Sequence, residues 1–309
     1  MSSLAGILTA LAALIALQRL LCLRSMFTGL SVRWAFFWWL GSLSYLCLLA
    51  LAEACAVVFS PAAQSVLHYG AAVLLLTPAV STLGARRHGL QAWQFFVVLP
   101  LLLVLMWPAA AETIFSRDSR PLMLSGPALA GYIAVLILSA GPGLGGGLTW
   151  SCLLHLAACL WMLAPAAGWL QPGSSVTLPV VFLLTAEAEL TTWHLLRRRA
   201  AVQKSASVAE RMNCVWLLFQ DLYGPVWTHR FLNRMRQFQQ AERWACSLEL
   251  GGFEATDSTK LTAVTLQQPL ESFRWVLSRF AEPSWIEQQF TDGFASETGA
   301  AADAAANGS

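Results

Sequence analysis

Charge is scarce in this sequence. Of 309 residues only 12% are Asp, Glu, Lys or Arg, about half the share of an ordinary soluble domain, while 57% are hydrophobic and the mean hydropathy is +0.58. A bilayer is therefore the expected solvent. Catalytic motifs are missing too: no HExxH, GxSxG, nucleotide-binding or glycosyl-transfer signature is present. The seven cysteines form no CxxC or CxxCH, and most lie in apolar runs, where a buried thiol is the ordinary reading. The run GPGLGGG at 141–147 is followed by no GK[ST] and sits between apolar segments, so it is a break between helices and not a phosphate loop. No internal repeat is visible.

The charge that is present is segregated. Residues 1–204 carry 11 Lys/Arg against 5 Asp/Glu, whereas residues 205–309 carry 8 against 12. A mildly acidic tail behind a basic apolar half excludes nucleic acid as the main partner. Seven apolar runs are long enough to cross a hydrocarbon core, at about 4–23, 34–59, 65–83, 93–111, 122–140, 148–170 and 176–196. The first has no basic residues ahead of it, as a cleaved signal peptide would, and Arg19, Arg24 and Arg33 follow its apolar part, so it is read as a retained helix. Trp34, Trp38 and Trp39 open the second run as an interfacial belt. Pro100 and Pro108 are expected to kink or end the fourth, and Gly126, Ala130 and Gly131 to allow close helix approach in the fifth.

Basic residues cluster after the first, third and seventh runs and avoid the loops after the second and sixth. By the positive-inside rule the N-terminus lies outside and the tail is cytoplasmic. The expected fold is mainly α: a seven-helix transmembrane bundle over residues 1–199, N-out and C-in. A small α+β cytoplasmic domain at 200–290 and a disordered Ala/Gly/Ser tail at 291–309 complete it. Within the domain, Val208, Met212, Val215, Phe219 and Leu222 have helical spacing, and Gly224 and Pro225 interrupt it. A second helical stretch carries Trp227, Phe231, Met235 and Phe238. Trp244, Cys246, Leu248 and Leu250 alternate as a strand, and 261–266 is expected to return as its partner. A last helix starts near Pro269 and stops at Pro283.

Leu83, Gly84, Ala85, Arg86 and Arg87, followed by Trp93 to Pro100 (WQFFVVLP), resemble a stretch in a group of uncharacterised bacterial multi-pass membrane proteins, and Phe219 to Gly224 (FQDLYG) is similar. The resemblance implies a bacterial inner-membrane protein and supplies no activity or cofactor.

Ionisable groups at membrane depth are costly, by about 2.5–3.5 kcal/mol at a helix centre, and each is a functional candidate. Glu53 and His68 lie at the outer ends of neighbouring runs, close enough to pair. In the seventh run Glu187, Thr191 and His194 share a helix face, Glu189 points the other way, and Arg19 lies at similar depth on the first run. Glu187 is therefore the glutamate expected to face the bundle. Cys152, His155 and Cys159 fall on one face of the sixth run, with soft ligands for zinc or copper. No cofactor is required by any of these patterns.

The functional expectation is an integral inner-membrane anchor whose cytoplasmic domain binds other membrane or cytoplasmic proteins, as a subunit or regulator of a larger assembly. Two other classes remain open. One is a proton- or ion-coupled transporter using Glu53, Glu187 and His155; the other is a membrane enzyme on a metal held by the sixth run.

Overall fold

The computed structural model describes residues 3–55, 57, 59–85, 92–115, 120–171, 174, 176–203, 207–255 and 265–290. The basic turn at 86–88, the expected return strand at 261–264 and the tail at 291–309 lie outside the described residues. The chain is mainly helical: α1 (Ser3–Phe27), α2 (Arg33–Ala54), α3 (Pro61–Leu83), α4 (Leu99–Phe115), α5 (Gly126–Ala140), α6 (Thr149–Leu163), α7 (Thr177–Gln203), a kinked α8 (Val208–Glu242) and α9 (Gln267–Leu277). Five helices among the described residues are long and apolar enough to cross a membrane, which marks a multi-pass membrane protein. They are α1, α2, α3, α4 with the turn ahead of it, and α5 extended to Gly143. Apolar α6 is shorter, ending at Leu163 where the run was expected to reach 170, because Pro165 and Gly168 (φ +75°) turn the chain. Helix α2 likewise ends at Ala54, five residues before the expected Phe59.

Local chemistry sets these boundaries. Ser60 caps α3 by accepting the Ala63 N–H at 3.1 Å, with Pro61 in the first helical position. Ahead of α4 the residues Gln94–Val98 form a π-helical turn, in which Leu99 N–H bonds to the Gln94 carbonyl just before Pro100. The wider turn tucks the Gln94 side chain inward, where its Oε1 accepts from Trp38 Nε1 at 2.8 Å and from Ser81 Oγ at 3.1 Å. Ser207 and Glu210 make a reciprocal capping box at the start of α8.

Helix α3 is the axis of the bundle. It packs against α2, α4, α5 and α6, while α1 lies on α2 and α7, and α6 on α7. Hydroxyls tie the helices together through neighbouring backbone carbonyls: Tyr69 to Leu105 at 2.5 Å, Tyr132 to Ala72 at 2.7 Å and Ser151 to Ala188 at 2.8 Å. Each such bond contributes about 0.6 kcal/mol in an apolar surround. The outer faces carry exposed apolar side chains, including Phe96, Val104, Trp107, Ile137 and Trp150, as lipid contact demands.

Residues 207–255 and 265–290 fold around stacked and edge-on rings of Trp216, Phe219, Phe231, Phe273 and Phe280. The strand expected from alternation is β1 (Cys246–Glu249). Its partner is β2 (Gly252–Ala255), directly after a tight turn, with Cys246 opposite Ala255 and Glu249 opposite Gly252. Asn213 Oδ1 accepts the Phe253 N–H at 2.7 Å and so holds the hairpin to α8. Pro283 does not stop α9, which ends at Leu277; it begins a further helical segment at 283–290.

This C-terminal unit is seated on the turns at one end of the bundle. Leu30 and Ala281 form an antiparallel bridge, Glu282 N–H donates to Gly29 O at 2.7 Å, and Arg33 Nη1 meets Glu282 Oε1 at 2.9 Å. At the centre of the contact Tyr223 Oη donates to Phe280 O at 3.1 Å and lies 2.9 Å from Ser31 Oγ, which donates to Ala85 O at 3.0 Å. Burial pushes the Tyr223 phenol well above its ordinary range, so it remains a donor at any physiological pH. Tyr223→Phe removes this donor and is expected to cost about 1 kcal/mol, read as a lower denaturation midpoint of the full chain at unchanged m-value.

Candidate functional site

Helix α7 turns a row of small residues, Thr185, Ala188 and Thr192, towards the bundle, all 3% exposed or less. That row lets α6 approach closely, and it fixes the rotation of the helix. Ser151 Oγ reaches both the Ala188 carbonyl, at 2.8 Å, and Thr192 Oγ1, at 2.7 Å. Glu189 shares this inward face and is 1% exposed; Glu187 is exposed to the outside. The expectation that Glu187 faces the bundle is thus corrected. The Thr185, Ala188, Thr192 row outweighs the Glu187, Thr191, His194 face on which that expectation rested. His194 is exposed, and the Thr191 hydroxyl is used locally, on the Glu187 and Ala188 carbonyls at 3.0 and 2.9 Å.

Both carboxyl oxygens of Glu189 are buried and without a hydrogen-bond partner. Arg19 is an exposed residue of α1 whose charge acts on Glu189, and Cys47 of α2 is near enough to feel the carboxyl. A carboxyl held without donors among α1, α2 and α7 can take up or release a proton, but it makes no structural bond.

Glu53 and His68 are brought together. Glu53 Oε1 on the last turn of α2 lies 3.4 Å from Nε2 of His68, which is 4% exposed on α3. The pair lines a cavity of about 180 Å³ with Gln64, Leu49, Leu67 and Phe59. It is an acid–imidazole contact at the end of the bundle opposite the C-terminal unit, and an ion pair when His68 is protonated.

The sixth-helix residues are not brought to one point. Cys152 Sγ faces the Ala140 carbonyl at 3.7 Å, His155 Nε2 is 2.8 Å from the Leu75 carbonyl of α3, and Cys159 is buried beside Tyr132 of α5. Each packs a different neighbour, so the shared face serves interhelix contact. Among the described residues no group of three or more His, Cys, Asp or Glu side chains is placed to hold a metal ion.

Two constellations have no counterpart in the motif reading. Asp221 of α8, 6% exposed, accepts the Gly147 N–H at 2.6 Å and lies 3.5 Å from Arg199 Nη2. A carboxylate there faces the start of α6, where the helix dipole favours negative charge. The GPGLGGG run is thus a seat for α8, and the approach is close at Gly147, where a Cβ would stand 3.0 Å from the Asp221 carboxylate. The second constellation is a surface. The guanidinium groups of Arg230, Arg234 and Arg279 lie over the rings of Trp227, Phe238 and Trp275, at 4.9, 4.7 and 4.9 Å, and none of the three makes an ion pair among the described residues. The i, i+4 spacing of Arg230, Arg234 and Phe238 on one helix was a visible signal for it.

No protein-family model, no curated protein and no solved structure matches this chain, so the chemistry of these sites rests on their own geometry.

Proposed function

We propose that this protein is an integral anchor of the bacterial inner membrane that holds a cytoplasmic interaction domain in fixed orientation, as a subunit or regulator of a larger assembly. The observation that carries the reading is the arginine–aromatic surface of α8 and α9. Trp and Arg dominate binding hot spots, and guanidinium groups with no carboxylate partner among the described residues fit an acidic segment of a partner protein. Trp275 is 46% exposed and stands between Arg234 and Arg279. The seven-span, N-out arrangement is part of the same proposal. Its support is that the turns after α1 and α5 and the end of α7 all meet the C-terminal unit, the turn after α3 is tied to the first of them through Ser31 and Ala85, and Arg24, Arg33 and Arg197 to Arg199 gather at that end.

The test is the size of the complex extracted from native membranes in mild detergent. Paired Arg234→Glu and Arg279→Glu substitutions are expected to release the chain from its assembly, with affinity lowered at least about tenfold, while its melting temperature stays the same. Retention of the assembly by the doubly substituted chain overturns this surface as the interface.

Glu189 favours a second reading, proton coupling through the bundle. Under it, Glu189→Gln abolishes proton-linked activity without changing assembly; under the anchor reading the substitution leaves both intact.

A further inference from the structure

A cavity of about 430 Å³ opens where the end of α1, the end of α7, the first half of α8 and the helical segment 283–290 meet. We propose that it binds the phosphate headgroup of an anionic phospholipid of the surrounding bilayer, an inference that rests on the membrane placement proposed above but not on the arginine–aromatic surface.

Arg199 is the reason. It lines the cavity, and its hydrogen bonding is incomplete: Nη2 reaches Asp221 Oδ2 at 3.5 Å, the long limit of such a bond, and Nε is buried with no acceptor. A guanidinium carries five N–H donors in a fork that matches two phosphate oxygens. The rest of the lining supplies further donors, the hydroxyl of Ser284 and the amide of Gln288 among them. Its one acid, Glu282, is already neutralised by Arg33 at 2.9 Å.

Helix ends usually repel anions at their carbonyl terminus, but here that terminus is occupied. The carbonyls of Arg24, Phe27 and Gly29 accept bonds from Thr28 Oγ1, Leu30 N–H and Glu282 N–H. Arg24 and Arg198 are exposed close by, adding positive charge that selects a net anionic headgroup over a choline. On α1 the exposed Leu14 and Leu21 lie on the side of the helix that leads to Ser25 at the cavity wall and offer apolar surface to an acyl chain. Basic pockets at the ends of membrane helices bind headgroups in this manner.

The full chain, purified and delipidated, is to be melted with added phosphatidylglycerol, phosphatidylcholine or inorganic phosphate. A saturable rise in melting temperature with phosphatidylglycerol alone is expected. Arg199→Gln should weaken that response about tenfold, as loss of a charged hydrogen-bond pair does. Because Arg199 also holds Asp221, Ser284→Trp provides a second variant that fills the cavity and leaves that contact in place; it should lose the response while melting normally in phosphatidylcholine. Cys214 lines the cavity and reports occupancy directly. Burial pushes its thiol up, so modification is followed at alkaline pH by mass spectrometry of its peptide, and phosphatidylglycerol should slow it. An equal response to phosphatidylcholine, a response to inorganic phosphate, or an undiminished response in Ser284→Trp overturns the site. Failure of the chain to insert into phosphatidylcholine vesicles at all overturns instead the membrane placement, and this outcome is separable from the others.

Discussion

The Gly224→Ala substitution is expected to destabilise the seating of the C-terminal unit by about 3 kcal/mol or more. Gly224 has φ +74° and ψ −177°, a conformation open to glycine and closed to residues with a side chain. A Cβ there would also collide with the Pro142 carbonyl at the α5–α6 turn, a backbone atom that has no rotamer to yield. The strain and the collision add, because relieving one by moving α8 would pull Asp221 from Gly147 and Tyr223 from Ser31, three and one residues away. Limited proteolysis of the full chain gives the readout. Cleavage within 204–243 should speed up by about two orders of magnitude, following the free-energy change, while the bundle helices remain protected. A variant as resistant as the parent would show that α8 does not press on Pro142.

Glu189→Leu is expected to act in the opposite direction and stabilise the bundle by about 2–4 kcal/mol. Each buried polar atom without a partner costs about 1–3 kcal/mol, and Glu189 has two such oxygens, unpartnered among the described residues. Replacing unsatisfied polar groups by apolar ones commonly raises stability in this manner. The measurement is the melting temperature in detergent, which should rise by several degrees. Destabilisation by Glu189→Leu would mean that the carboxyl holds a bond that its surroundings do not supply in the structure. A residue that weakens its own fold, kept at the centre of three helices, is also what the proton-coupling reading requires, so Glu189→Leu and Glu189→Gln together separate cost from use.

The long apolar runs were legible because a helix that meets lipid needs no particular partner, only length. Helices α1 to α5 therefore match the hydropathy pattern to within a few residues at most of their ends. The break at Gly224 and the alternation at Cys246 and Leu248 were legible for a similar reason, since both are properties of the local backbone. The inward face of α7 was not. Glu187 and Glu189 are two residues apart on opposite faces, and the choice between them depends on which side α6 can approach. That is decided by the small row Thr185, Ala188 and Thr192, whose meaning appears only when Ser151 stands opposite. Cys152, His155 and Cys159 misled for the complementary reason: residues on one face share a direction, but neighbours from α3 and α5 divide that face among themselves. The seat for α8 was hidden in the glycines at 141–147, which register as an interruption until Asp221 is brought to Gly147 from 74 positions away.

The seat has a consequence for how the chain is made. Its pieces come from two separate inter-helix turns, around Gly29 to Ser31, which is braced on Ala85, and at Pro142 to Gly147, while the groups that dock on them are synthesised last. Tyr223, Asp221 and Ala281 can be satisfied together only when both turns have arrived on the same side. A nascent protein with one segment threaded the wrong way would carry its late-made half undocked, with the aromatic face around Phe219 and Phe280 uncovered for proteases to find. Docking is thus expected to fail in a wrongly threaded chain, and protease sensitivity of the late-made half would report it.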